Sequence, residues 1–190
     1  MIQLEKEQFA MLAGAIPFAA KEEEYHRYLN GVFFEFNGET CAIVATDTHA
    51  MFFSEFECKT DGNYSFIMPV ETAKEMLKAF KGGVLIDVLD DKVVFKDGKS
   101  EISFKPIEGR YPQWRRVVPD VRNAIATDMT SLSPDYLDAV SKSYGAIARR
   151  LKIEIKQVAL YLFGETGAVR ISGLSVFAPA FDYLVMPMRI

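Results

Sequence analysis

Cysteine and histidine each occur only twice in the 190 residues, and neither type clusters. Cys41 and Cys58 stand apart, with no Cys-x-x-Cys spacing and no group of histidines nearby. They read as reduced, buried thiols rather than as a disulfide or a metal site. No apolar run approaches the roughly 20 residues needed to span a bilayer. The opening segment MIQLEKEQF carries acidic residues and lacks a long apolar core, so it does not read as a signal peptide, and the expected location is cytoplasmic. The phosphate-cradling loop GxxxxGK[ST], the nucleophile elbow GxSxG and the dinucleotide motif GxGxxG do not occur. Positive charge is not in excess either: 22 Lys and Arg against 26 Asp and Glu leave a net charge of −4. That argues against nucleic-acid binding by overall attraction and shifts attention to where the cations fall.

Apolar residues make up 49% of the chain, an ordinary share for a globular protein, and their order repeats. MIQL reads as a strand, Glu5 to Ala20 as a helix with Phe9, Leu12, Ala13 and Ile16 at helical spacing, and GVFFEFN, TCAIVAT and AMFFSEFE as strands. Then YSFIMP is a strand, Val70 to Phe80 a helix with Met76, Leu77 and Phe80 on its apolar side, and VLIDVL, KVVFK and SEISFK are strands. A third pass has the strand IATDMT and a helix capped by Ser133 with Pro134 in its first turn. Its apolar stripe is Leu137, Val140, Tyr144 and Ile147, and QVALYLF, AVRIS and FDYLVMPM follow as strands. Gly38-Glu39, Asp47-Thr48, Asp90-Asp91 and Asp97-Gly98 supply the turns. The fold class predicted is α+β: repeated strand–helix–three-strand units, with antiparallel sheets covered by helices on one face. Residues 1–115 hold two units, 116–123 are connector and 124–190 hold one. The surrounding stretch GRYPQWRRVVPDVRN, with Pro112 and Pro119, reads as extended.

Catalysis finds little support. Asp47 and His49 in the stretch DTH lack a third ligand nearby, His26 being the only other histidine, and Asp90-Asp91 reads as a hairpin tip. No cofactor is implied, and the chain reads as a non-enzyme.

Several stretches resemble the bacterial DNA polymerase III beta subunit, the sliding clamp family, in a shortened form. GRYPQWRRVVP is similar to its linker between second and third domains, and YLVMPMRI to its terminal strand. HRYLNGVFFEF and VATDTHAM resemble its second domain, and SPDYLDAV its last helix. The resemblance implies a clamp fold and a non-catalytic role: ring-shaped members encircle duplex DNA, tether polymerases and take up linear peptides between the second and third domains. A full member has six units and this chain three, so the first domain and half of the third are expected to be absent. Four chains would supply twelve units. A half-domain exposes a sheet edge, so a homo-oligomer is expected.

Carried over residue by residue, the peptide pocket comprises Leu29, Thr46, His49, Met51, Pro119, Tyr136, Leu184, Met186, Pro187, Met188 and Arg189. Methionine adapts to varied anchors, and Arg189 suits a carbonyl or carboxylate. Without the resemblance, a strand of Leu, Val and Met reads as plain sheet core. Thr48 stands where the family usually has glycine and Ala50 where it has arginine; Met51 replaces a leucine and is expected to keep the pocket open. Arg27 and Tyr28 match a loop that touches DNA in the family. Lys74, Lys78 and Lys81 share one helix face, and Lys142, Arg149 and Arg150 lie on the third helix. They are candidate phosphate contacts, with simple solvation as the alternative. Two roles stay open: a clamp that assembles around DNA and recruits polymerases, or a non-encircling adaptor or competitor that binds the same peptides.

Overall fold

The computed structural model describes residues 1–21, 24–125, 130–154, 157–173 and 178–188. The first unit comprises β1 (Ile2–Leu4), α1 (Lys6–Ala15), β2 (Gly31–Asn37), β3 (Thr40–Thr46) and β4 (Ala50–Glu57). The second comprises β5 (Asn63–Pro69), α2 (Val70–Ala79), β6 (Val84–Val88), β7 (Val93–Lys96) and β8 (Glu101–Phe104). The third has α3 (Pro134–Leu151), β9 (Val158–Tyr161), β10 (Val169–Gly173) and β11 (Phe181–Val185).

The first two units exchange their first strands. β1 pairs antiparallel with β6 and β5 pairs antiparallel with β2, so the first two units form one intertwined domain. The result is a four-stranded sheet, β1-β6-β7-β8, and a seven-stranded sheet, β5-β2-β3-β4-β11-β10-β9. The third unit joins through a five-residue antiparallel ladder between β11 and β4, from Phe181–Ser54 to Val185–Ala50. A close backbone approach explains the intertwining. A Cβ on Gly31 would come within 2.6 Å of the Met68 carbonyl oxygen on β5, and one on Gly83 within 2.6 Å of the Leu4 carbonyl oxygen on β1. Glycine alone admits both crossing strands.

The helices form one layer, with α1 packed against both α2 and α3. Alternation along the strands sends Val32, Phe34 and Phe36 toward that layer, where all are buried with Phe9, Phe52, Met76, Phe80, Phe95 and Tyr183. Full burial of each such side chain contributes about 1.5–3 kcal/mol. A polar contact fixes the α1–α3 seam: the Tyr183 hydroxyl meets Ser143 Oγ at 2.9 Å, and Ser143 Oγ donates to the Gly14 carbonyl at 2.7 Å. Cys41 and Cys58 are buried free thiols, and burial raises both thiol pKa values. Among the described residues no helix is long and apolar enough to cross a membrane.

Two of these boundaries differ from the sequence reading, and a third expected strand is only partly described. α1 stops at Ala15 rather than reaching Ala20, since Pro17 opens a 3-10 turn over Ile16–Phe18 and cannot donate to an α-helical ladder. β11 stops at Val185, and Met186 to Met188 leave the sheet at Pro187. Of the strand expected over IATDMT, residues 126–129 lie outside the described residues.

Candidate functional site

Where β4 meets β11, cross-strand register sets a row of side chains on the sheet face turned away from the helices. Thr46 pairs with Met51, Met51 with Leu184, and Leu184 with Arg170. Leu29, Met51 and Leu184 pack there in a second apolar cluster with Phe53, Tyr111 and Trp114, against which Val118 rests. The connector therefore lies across this face. Tyr111 stacks on Phe33 at 4.5 Å and Trp114 tilts against Phe53 at 5.5 Å. Arg115 covers the Trp114 ring at 4.2 Å and pairs with Glu35 and Glu55. At its far end Arg170 donates to the Pro119 carbonyl at 3.1 Å and pairs with Asp182 at 2.9 Å, well shielded from water. Ser172 Oγ donates to the same carboxylate. Burial holds the Tyr111 phenol well above its usual pKa.

The turn between β3 and β4 is built from its own side chains. Asp47 accepts from the backbone N–H groups of His49 and Ala50 at 3.0 and 2.8 Å, and Thr46 Oγ1 accepts from Thr48 N–H at 3.0 Å. Thr48 sits at φ +80°, a region that costs a β-branched residue on the order of 1–2 kcal/mol. A glycine would adopt the same backbone without this cost. The His49 carbonyl accepts from Met186 N–H at 2.9 Å, and its ring stacks with Tyr136 at 6.4 Å. Burial, then the adjacent Asp47 carboxylate, raises the Tyr136 pKa.

The predicted pocket residues thus fall into two groups. Leu29, Thr46, Met51 and Leu184 form a covered floor, with Met51 and Leu184 each only 4% exposed, so Met51 does not line an open cavity as the sequence reading expected. Met186 and Met188 stand at 44% and 55% exposure, above half-buried Pro119, Tyr136 and Pro187 and beside exposed His49. Arg189 lies outside the described residues. Sequence reasoning missed Tyr111, Trp114, Arg170 and Asp182. The aromatic pair in GRYPQW was a usable signal, but the Arg170–Asp182 pair depends on strand register.

The candidate DNA contacts divide as well. Arg27, Lys74, Lys78, Lys81, Lys142 and Arg149 are exposed and Tyr28 is half-buried. Lys74 pairs with Glu71 and Lys142 with Asp138 on their own helices. Arg150 is otherwise engaged: its guanidinium donates to the Leu77 and Phe80 carbonyls at the end of α2 and lies 5.0 Å over the Phe9 ring. Among the described residues no group of three His, Cys, Asp or Glu is arranged to hold a metal ion.

Comparison with known proteins gives this arrangement a family. Residues 3–113 match the family model for the DNA polymerase III beta subunit, central domain. The beta sliding clamp of Borreliella burgdorferi is 25% identical over 167 residues, 86% of this chain and 43% of that protein. That of Vibrio cholerae is 30% identical over 126 residues, 61% of this chain and 30% of that protein. The chain therefore spans less than half the length of these relatives. The DNA polymerase III beta subunit of Thermotoga maritima superposes with a TM-score of 0.76 at 18% identity, covering 99% of this chain and 65% of that one. A sliding clamp from Pseudomonas aeruginosa gives 0.77 at 17% identity, covering 99% and 66%. With a family model matched over more than half of its length, this chain belongs to the DNA polymerase III beta subunit family, the sliding clamps.

Proposed function

We propose that this chain is a clamp-like protein of DNA replication that captures linear peptide motifs of polymerases and other replication proteins where β4 meets β11. One observation carries this reading. Segments far apart in sequence, at Leu29, Thr46–Met51, Pro119, Tyr136 and Leu184–Met188, converge on one edge-to-edge strand junction. Above its covered floor, two flexible methionines face water, a surface suited to varied apolar anchors. The family's members are non-catalytic, and no reaction is assigned to Asp47 and His49. Anisotropy of a labelled peptide of the glutamine-leucine-phenylalanine type tests the reading. Met186→Ala is expected to weaken binding about five- to a hundredfold, the equivalent of roughly 1–3 kcal/mol for a lost apolar anchor. Unchanged affinity would remove the site.

The exposed cations of α2 and α3 support a second reading, in which the helix layer faces duplex DNA. Here Lys78, Lys81 and Arg149 bear the contact, and Arg150 serves the α2–α3 junction instead. Retention on closed circular DNA with release on linearisation is the expected result. Equal behaviour on circular and linear DNA would leave the peptide-binding adaptor as the function.

A further inference from the structure

Among the described residues, the ion pair most shielded from water is Arg170–Asp182, with side chains 19% and 12% exposed. It lies on the same sheet face as the junction, since Arg170 pairs in register with Leu184, and Asp182 with Phe53. Asp182 accepts from the Arg170 Nε and Nη2 groups at 3.2 and 2.9 Å, and Ser172 Oγ donates to the same carboxylate. The guanidinium also lies 5.5 Å over the Phe53 ring. Two parallel bonds to one carboxylate, with an aromatic face beside them, hold a planar fork in one orientation. Its remaining arm, Nη1, donates to the Pro119 carbonyl at 3.1 Å. Proline has no N–H, so that carbonyl is the only backbone hydrogen-bonding group at this position. Among the described residues no other hydrogen bond ties residues 117–122 to the sheet.

Shielding decides what the pair is for. Withdrawing two charges from water costs about as much as their attraction contributes. Replacing such a pair by apolar side chains is therefore often neutral or stabilising, whereas removing one partner alone is strongly destabilising. Apolar residues at both positions would leave the β10–β11 ladder in place. What they would lack is a donor for Pro119. We infer that Arg170 is a positioning residue of the peptide site: with its orientation set by Asp182 and Ser172, it fixes the Pro119 carbonyl and holds the end of the connector at the cluster that contains Leu184. The inference rests on the peptide-binding reading proposed above. A connector fixed in this way is ordered before the peptide arrives, so binding does not bear the cost of ordering it.

The test compares the unaltered full chain with the double variant Arg170→Met/Asp182→Leu. Thermal midpoint and anisotropy of a labelled peptide of the glutamine-leucine-phenylalanine type are both read. The double variant is expected to keep its midpoint and to bind the peptide about tenfold more weakly. Amide exchange at Val118 and Asp120 is expected to quicken while β10 and β11 keep their protection. Unchanged affinity or unchanged exchange would overturn the inference. So would a midpoint that falls together with the affinity, which marks a merely structural pair. Should the double variant fail to fold, Arg170→Lys decides the matter, because an ammonium keeps the charge beside Asp182 without the fork that also reaches Pro119. Weaker peptide binding at an unaltered midpoint supports the positioning role, and equal affinity refutes it. An unaltered chain that binds no peptide removes the site and this inference together, an outcome distinct from binding that is indifferent to Arg170.

Discussion

At the scale of single residues, Thr48 makes the sharpest claim. Its backbone lies at φ +80° in an exposed turn already closed by Thr46 and Asp47. Nothing in the turn's hydrogen bonding needs a threonine side chain at this position, so the cost of the left-handed conformation is not offset there. Thr48→Gly is expected to raise stability by about 1 kcal/mol, the relief of left-handed strain less the added freedom of the unfolded chain. Urea unfolding measures this, and a loss of stability would show that the threonine makes a contact worth more than the strain. Residue types identified the turn, and the family resemblance marked Thr48 as standing at a glycine position. Neither could show that the backbone adopts a left-handed conformation, which depends on closure by the flanking strands.

At the scale of elements, the alternating apolar runs made the strands readable, because one face of each sheet is buried and register is thereby enforced. Thus GVFFEFN, TCAIVAT and AMFFSEFE coincide with β2, β3 and β4. Strand exchange was not readable, since it depends on which edge a strand reaches rather than on its own pattern. The signal lay in the recurring Gly-Val at the start of β2 and β6, whose purpose appears only beside Met68 and Leu4. Gly83→Ala places a methyl group against the backbone carbonyl of Leu4, which cannot rotate away as a side chain would. A loss of about 1–3 kcal/mol is expected, the usual cost of overpacking, read as a lower thermal midpoint. No change in midpoint would mean that β1 is not held against β6 as described. Arg150 carries the complementary lesson. Its place in a basic run suggested phosphate contact, but the bare carbonyls at the end of α2 offer a nearer partner for a guanidinium.

At the scale of the whole molecule, three units are held in a line by two kinds of junction, exchanged strands between the first and second and a direct β4–β11 ladder between the first and third. The connector spans the second junction and fastens both sides of it, through Arg115 on Glu35 and Glu55 and through Pro119 on Arg170. Resemblance at YLVMPMRI and GRYPQWRRVVP located this region from sequence, while the covered state of its floor follows from Tyr111 and Trp114, which only the fold brings over Met51 and Leu184. Trp114 is the sole tryptophan and packs in that floor cluster, so it reports on the site directly. The decisive measurement is a titration of Trp114 fluorescence with a tryptophan-free peptide of the glutamine-leucine-phenylalanine type. The account predicts a saturable change in emission, shifted to higher peptide concentration by Met186→Ala. Binding of the peptide with no change at Trp114 and no effect of Met186→Ala, or no binding at all, would contradict it.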